Sequence, residues 1–150
     1  MVSVTRYAAA PIERVFAVVS DPTTYPDWLV GAREIRAVDD DWPQAGSVFH
    51  HRVGLIGPLT VADSTKSLEV DAPTLLALEV RARPFAKGRA VFRLAEVTPE
   101  RTRVTIDETV IGHLSPLSPV LEPSIEARNR ASLNALVAKL NEPDAFDGAG

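Results

Sequence analysis

Between residues 47 and 112 the chain runs through "SVFHHRVG", "LTVADSTKSLEV", "TLLALEVRAR", "GRAVFRLAEV" and "TRVTIDETVIG", joined by "GLIGP", "DAP", "PFAKG" and "TPER". Links this short and turn-rich connect antiparallel neighbours, because a parallel return needs a crossover of a dozen or more residues. Three of the segments also alternate in polarity. Leu76, Leu78, Val80 and Ala82 oppose Glu79, Arg81 and Arg83; Phe92 and Leu94 oppose Arg93; Val104, Ile106 and Val110 oppose Arg103, Asp107 and Thr109. Successive strand residues point to opposite faces, so the predicted sheet has one apolar face and one wet face.

An apolar sheet face has to be covered, and the flanking sequence supplies the cover. "VSVTRYAA" reads as a first strand whose buried face the pattern leaves ambiguous. Ala10-Pro11 then starts a helix, since Pro has no N–H to lose in a first turn. Ile12, Val15, Phe16 and Val19 fall at helical spacing, and Asp21-Pro22 ends the run because the residue before Pro is steered out of the helical region. "TTYPDWLVG" is predicted to form a second short helix, with Thr24 as N-cap and Gly31 as stop, and it carries one of only two Trp residues, Trp28. "AREIRAVDDDW" adds a strand that ends in an acidic turn. From Pro116, Leu121, Ile125, Asn129, Ser132, Leu136 and Leu140 mark a long amphipathic helix that stops at Pro143. The expected fold class is α+β: a curved antiparallel sheet of about seven strands wrapped around the C-terminal helix, with two short helices after strand 1.

At 150 residues and 45% hydrophobic content, one domain over residues 1–141 is expected, with 142–150 a flexible tail. No apolar run approaches the roughly 18 residues needed to span a bilayer, and the first residues lack the apolar block of a signal peptide, so a cytoplasmic protein without stable membrane insertion is expected. The chain has no Cys, which excludes disulfides, thiolate metal sites and a Cys nucleophile. A net charge of −4 with scattered Lys and Arg gives no basic stripe for nucleic acid. The three His, His113 among them, have no partner at metal-ligand spacing, and no Gly-rich phosphate loop, nucleophile elbow or dinucleotide fingerprint occurs. Neither a metal nor a cofactor is expected.

The segments "APIERVFAVVSDPTTYPDW", "VDDDWPQAGSVFHHRVG", "TRVTIDE" and "RNRASLNAL" resemble the polyketide cyclase/dehydrase branch of the START-like, Bet v 1-like superfamily, often called SRPBCC, from about Val2 to Leu140. The resemblance implies a helix-grip fold with a deep hydrophobic cavity, one end of it shut by the two short helices, with Trp28 packed there. It does not choose a reaction, since the superfamily includes cyclases, lipid carriers and quinone-binding proteins.

Chemistry-bearing residues on the apolar side are few. Glu108 shares the parity of Val104, Ile106 and Val110, a position that suits a general acid or base and equally a carboxylate paired with an Arg. His51 shares the parity of Phe49 and Val53, which turns His50 to the other face; an imidazole there could shuttle a proton or bond a ligand carbonyl. Asp63 shares the parity of Val61 and Thr65, although Leu68 breaks the alternation and points to a bulge. Asn129 lies on the apolar stripe of the long helix, where its amide orients a ligand or bonds a backbone group. Tyr25, Trp28, Leu78, Val80, Phe92, Ile106 and Ile125 are core or pocket lining, which are the same thing where a cavity wall is core with one side unfilled.

Three functions remain open from the sequence. The first is binding, and with it transport, of a hydrophobic small molecule such as a polyketide, lipid or quinone. The second is a cyclase/dehydrase-like aldol cyclisation using Glu108 or His51, helped by proximity in the cavity. The third is a protein-interaction or chaperone-like module. Monomer and homodimer are both compatible with the sequence.

Overall fold

The computed structural model describes residues 1–30, 32–56, 59–82 and 86–141, with backbone alone for 33, 34, 52–56, 59–63, 82 and 86. The expected Gly31 stop, the outward Arg83 and the 142–150 tail lie outside the described residues. In chain order the elements are β1 (Val2–Ala8), α1 (Ile12–Val19), α2 (Tyr25–Trp28), β2 (Ala32–Val38), β3 (Val48–Ile56), β4 (Leu59–Asp71), β5 (Leu75–Ala82), β6 (Ala86–Thr98), β7 (Arg101–Val110) and α3 (Ser118–Asn141). Short 3-10 turns cover Pro22–Thr24 and Gly112–Leu117.

The strands form one sheet in the order β1-β7-β6-β5-β4-β3-β2, antiparallel at every pairing. Strands β2 to β7 thus follow each other as a meander, and β1 closes on β7, with Val4 opposite Ile106. The face ambiguity of β1 is resolved by Val2, Val4 and Ala8, which are buried, while Tyr7 is exposed. This is the α+β helix-grip arrangement that the alternation and the terminal helix predict.

Helix α1 buries Ile12, Val15, Phe16 and Val19 on one face. Each such side chain contributes roughly 1.5–3 kcal/mol when fully removed from water. Its end is satisfied locally, since Ser20 donates both its N–H and its hydroxyl to the Phe16 carbonyl, at 2.9 and 2.7 Å. The cap of the next turn is Asp21, whose carboxylate accepts the Thr23 N–H at 3.0 Å and the Thr23 hydroxyl at 2.7 Å. Thr24 takes the predicted N-cap position of α2, with helical angles (φ −86°, ψ −17°) and no side-chain cap hydrogen bond. Its hydroxyl instead donates to the carbonyls of Val18 and Asp21 and accepts the Trp28 indole N–H at 3.0 Å. The "SDPTTYPDW" stretch is therefore a braced corner that sets Trp28 at a defined depth.

The irregularity at Leu68 is a bulge, because Ser67 pairs with Leu78 and Glu69 with Ala77, leaving Leu68 as the extra residue. It lies after Thr65, so Thr65 and Ser67 keep the inward parity and are buried. In α3, burial is confined to Asn129, Ser132, Leu133, Leu136 and Leu140. The C-terminal half of the helix packs on β1 and the core, while Leu121 and Ile125 in the first half are only partly covered. The Ser132 hydroxyl accepts the Val30 N–H at 3.0 Å and ties α3 to the segment after α2. No helix among the described residues is long and apolar enough to cross a membrane.

Candidate functional site

Where the sheet, the α2–β2 segment and the middle of α3 meet, the packing leaves a cavity of about 90 Å³. Its aromatic side is built from Tyr25, Phe49 and Phe92. Tyr25 stands edge-on to Phe49 with ring centroids 5.6 Å apart, a favoured geometry for quadrupolar rings. Leu78, Val80, Ala90 and Ile106 extend the wall from β5, β6 and β7. The strand parity read from the sequence places these residues, since each lies two residues from another inward position.

Trp28 is 2% exposed and is not on the lining. It packs behind the wall, edge-on to Tyr25 at 5.4 Å and to Phe92 at 6.0 Å. The expectation that it closes the cavity end is replaced by a supporting role, because the Thr24 hydroxyl draws its indole N–H back towards the corner. Trp42 supports Phe49 in the same way at 4.8 Å and donates its indole N–H to the Ser20 carbonyl. Ile125 lines a neighbouring pocket instead of this cavity. Asp63 is the backbone partner of His51 in the β3–β4 register, and its side chain lies outside the described residues.

Four polar arrangements face or support the cavity. His51, 5% exposed, shares a 2.9 Å hydrogen bond between its Nε2 and the Thr65 hydroxyl, both residues lying on the wall. Glu108 is paired with Arg128 of α3, which supplies the Arg partner that the sequence left open. The carboxylate side chain is 12% exposed and the Arg side chain 43%, so this ion pair sits at the rim rather than deep in the interior. Asn129, the next residue on α3, is 1% exposed, and its amide Nδ2 has no hydrogen-bond partner among the described residues. Tyr25 donates its hydroxyl to the Val19 carbonyl. Burial, and then the nearby Asp21 charge, push its phenol well above the ordinary range, so it remains a neutral donor.

Other buried side-chain hydroxyls among the described residues are used internally. Ser67 donates to the Pro43 carbonyl at 2.7 Å, Ser47 to Gln44 at 2.6 Å, and Thr102 to Ala10 at 2.8 Å. Among the described residues, Asn129 Nδ2 is a buried side-chain donor without an acceptor, and Asn129 lines the cavity. Chemically, the site combines an apolar hollow, an amide donor without a partner among the described residues, an imidazole held by a hydroxyl, and a carboxylate held by a guanidinium.

The family model described as "Polyketide cyclase / dehydrase and lipid transport" matches residues 1–141. No curated protein matches the chain. Among solved structures, protein CV1439 from Chromobacterium violaceum is similar with a TM-score of 0.73 at 17% identity, over 94% of this chain and 97% of that one. The Zhui aromatase/cyclase from Streptomyces sp. R1128 is similar with a TM-score of 0.71 at 21% identity, over 93% and 92%. Protein NE0264 from Nitrosomonas europaea gives 0.72 at 19% identity, over 93% and 92%. At these identities the three share the fold with this chain.

Proposed function

The chain belongs to the polyketide cyclase/dehydrase and lipid transport family, and from that premise we propose that it binds an apolar small molecule carrying a hydrogen-bond-accepting oxygen. The observation that carries this reading is Asn129, a cavity-lining residue whose buried amide Nδ2 has no hydrogen-bond partner among the described residues. An unmet donor in such a place costs about 1–3 kcal/mol. A ligand carbonyl or hydroxyl would remove that cost, while burial of its hydrocarbon would contribute roughly 25 cal/mol per Å². The test is native mass spectrometry of the protein from its own source, followed by denaturing extraction. A discrete added mass that leaves on unfolding is the expected result. An empty protein that also binds no apolar carbonyl compound would overturn the reading.

A second reading is favoured by one observation, that His51 and Glu108 border the same cavity. A ligand with carbonyls flanking an acidic methylene would then meet an imidazole and a carboxylate, the two groups suited to an aldol closure. Cyclisation of a synthetic polyketone should slow at least tenfold in Glu108→Gln or His51→Ala protein. Equal rates in both variants and the parent would remove these residues from catalysis.

A further inference from the structure

The cavity described above is smaller than the molecules a hydrophobic carrier handles. At about 90 Å³ it lies below the roughly 150 Å³ of a cavity that takes up benzene. A ligand that reaches Asn129 and has an apolar body must therefore extend beyond it.

A neighbouring pocket offers the space. A second pocket of about 210 Å³ lies between the end of β7, the Gly112–Leu117 turn and the first half of α3. Val110, Leu114, Leu121 and Ile125 make its surface apolar. Lys87 also borders it, with its ammonium 3.1 Å from Glu79 and engaged there. The two pockets share three wall residues: Val80, Glu108 and Arg128. The partition is thus an ion pair reaching from β7 to α3. Its Arg side chain is nearly half exposed, so rotation into solvent would open the wall without moving the backbone. Partly exposed pairs of this kind are held weakly, because water and salt screen them. The partial covering of Leu121 and Ile125, on a helix whose other half is firmly packed, leaves the apolar surface that a chain crossing the partition would meet.

We infer that the inner cavity and the outer pocket are two subsites for one ligand: an elongated apolar molecule with an acceptor oxygen near one end, lying across the Glu108–Arg128 partition. The inference rests on the ligand-binding reading above. The oxygen meets Asn129 Nδ2, the short end lies among Phe49, Leu78 and Phe92, and the long end passes beneath Arg128 to Leu121 and Ile125.

The probes are 2-alkanones from 2-pentanone to 2-undecanone, titrated calorimetrically into the full chain. Affinity is expected to rise up to about fourfold per added methylene well beyond 2-hexanone, as hydrocarbon enters the outer pocket. Leu121→Trp, which fills that pocket from a half-covered position, should flatten the series beyond that length. Ser124→Trp on the same pocket, at an exposed helical position, should do likewise and serves if the first variant does not fold. Arg128→Ala should raise the association rate of 2-undecanone several-fold, read by stopped-flow Trp fluorescence. An affinity that levels off at 2-hexanone in the parent, or Trp variants that follow the parent series, would overturn the two-subsite inference and leave binding at the inner cavity intact. No saturable binding of any ketone would overturn both.

Discussion

At the scale of single residues, Asn129 and Tyr25 show how a buried polar group reveals its use. The Asn129 amide has a donor with no partner among the described residues, so an apolar residue of similar volume should relieve the fold while removing the proposed ligand contact. Asn129→Leu is expected to raise the unfolding free energy by about 1 kcal/mol and to weaken ligand binding about tenfold. Denaturant melts and titration of the same preparation check both; a destabilised Asn129→Leu protein would make the amide structural. Tyr25 is the opposite case, a buried hydroxyl fully used on the Val19 carbonyl. Tyr25→Phe should cost about 1 kcal/mol at neutral pH. The folded state keeps this phenol neutral above its ordinary value of 10.0, so the stabilisation is whole below that pH and is lost as pH rises beyond it. Unfolding free energy should consequently fall less steeply between about pH 9 and 11 in Tyr25→Phe than in the parent.

At the scale of elements, the corner between α1 and α2 and the β5–β6 hairpin carry separate duties. Trp28 supports Tyr25 and Phe92 from behind the wall, so Trp28→Ala should destabilise by about 3–5 kcal/mol. Trp28→Phe keeps an aromatic body in place and is expected to retain ligand affinity. A loss of affinity in a well-folded Trp28→Phe protein would return Trp28 to the wall. On the hairpin, burial raises the Glu79 carboxyl, but hydrogen bonds and charge from Lys87 and Arg81 outweigh it and hold the group below the usual range. Its stabilisation is present above the ordinary Glu value near 4.3 and is lost as pH falls through the lower folded value. Glu79→Gln should therefore show a flatter acid limb in urea melts below about pH 4.5. An unchanged limb would mean that Glu79 is not held by these cations.

At the scale of the whole molecule, a ligand that fills the cavity and bonds Asn129 adds contacts to the folded state alone, so binding stabilises the fold. Occupancy by the extracted ligand should raise the thermal midpoint in a saturable way. At a free concentration of 100 Kd the gain is about 2.7 kcal/mol. A saturating ligand that leaves the midpoint unchanged would place binding outside the folded cavity. Packing confines firm burial in α3 to Asn129 and the residues after it, so occupancy of the outer pocket should slow amide exchange near Leu121 and Ile125 before it affects Leu133 or Leu136.

Much of this architecture was legible in local pattern, because alternation, helix stops and short links are short-range properties. Strand parity located Leu78, Phe92, Ile106, Glu108 and His51 on the inner face, and the break at Leu68 marked the bulge. Thr24 holds the predicted N-cap position of α2, but its hydroxyl makes no cap bond there, and the side-chain cap of this corner is Asp21 on the preceding 3-10 turn. What the sequence by itself determined was therefore the sheet, its inner face and the helix that covers it, since each depends on residues a few positions apart. Only the tertiary structure decided that Arg128 meets Glu108, that Thr65 holds His51, and that Trp28 stands behind the wall. It alone left Asn129 Nδ2 without a hydrogen-bond partner among the described residues. Those outcomes depend on which distant side chains are brought together and how much space remains between them, and no periodicity along one chain encodes that distance.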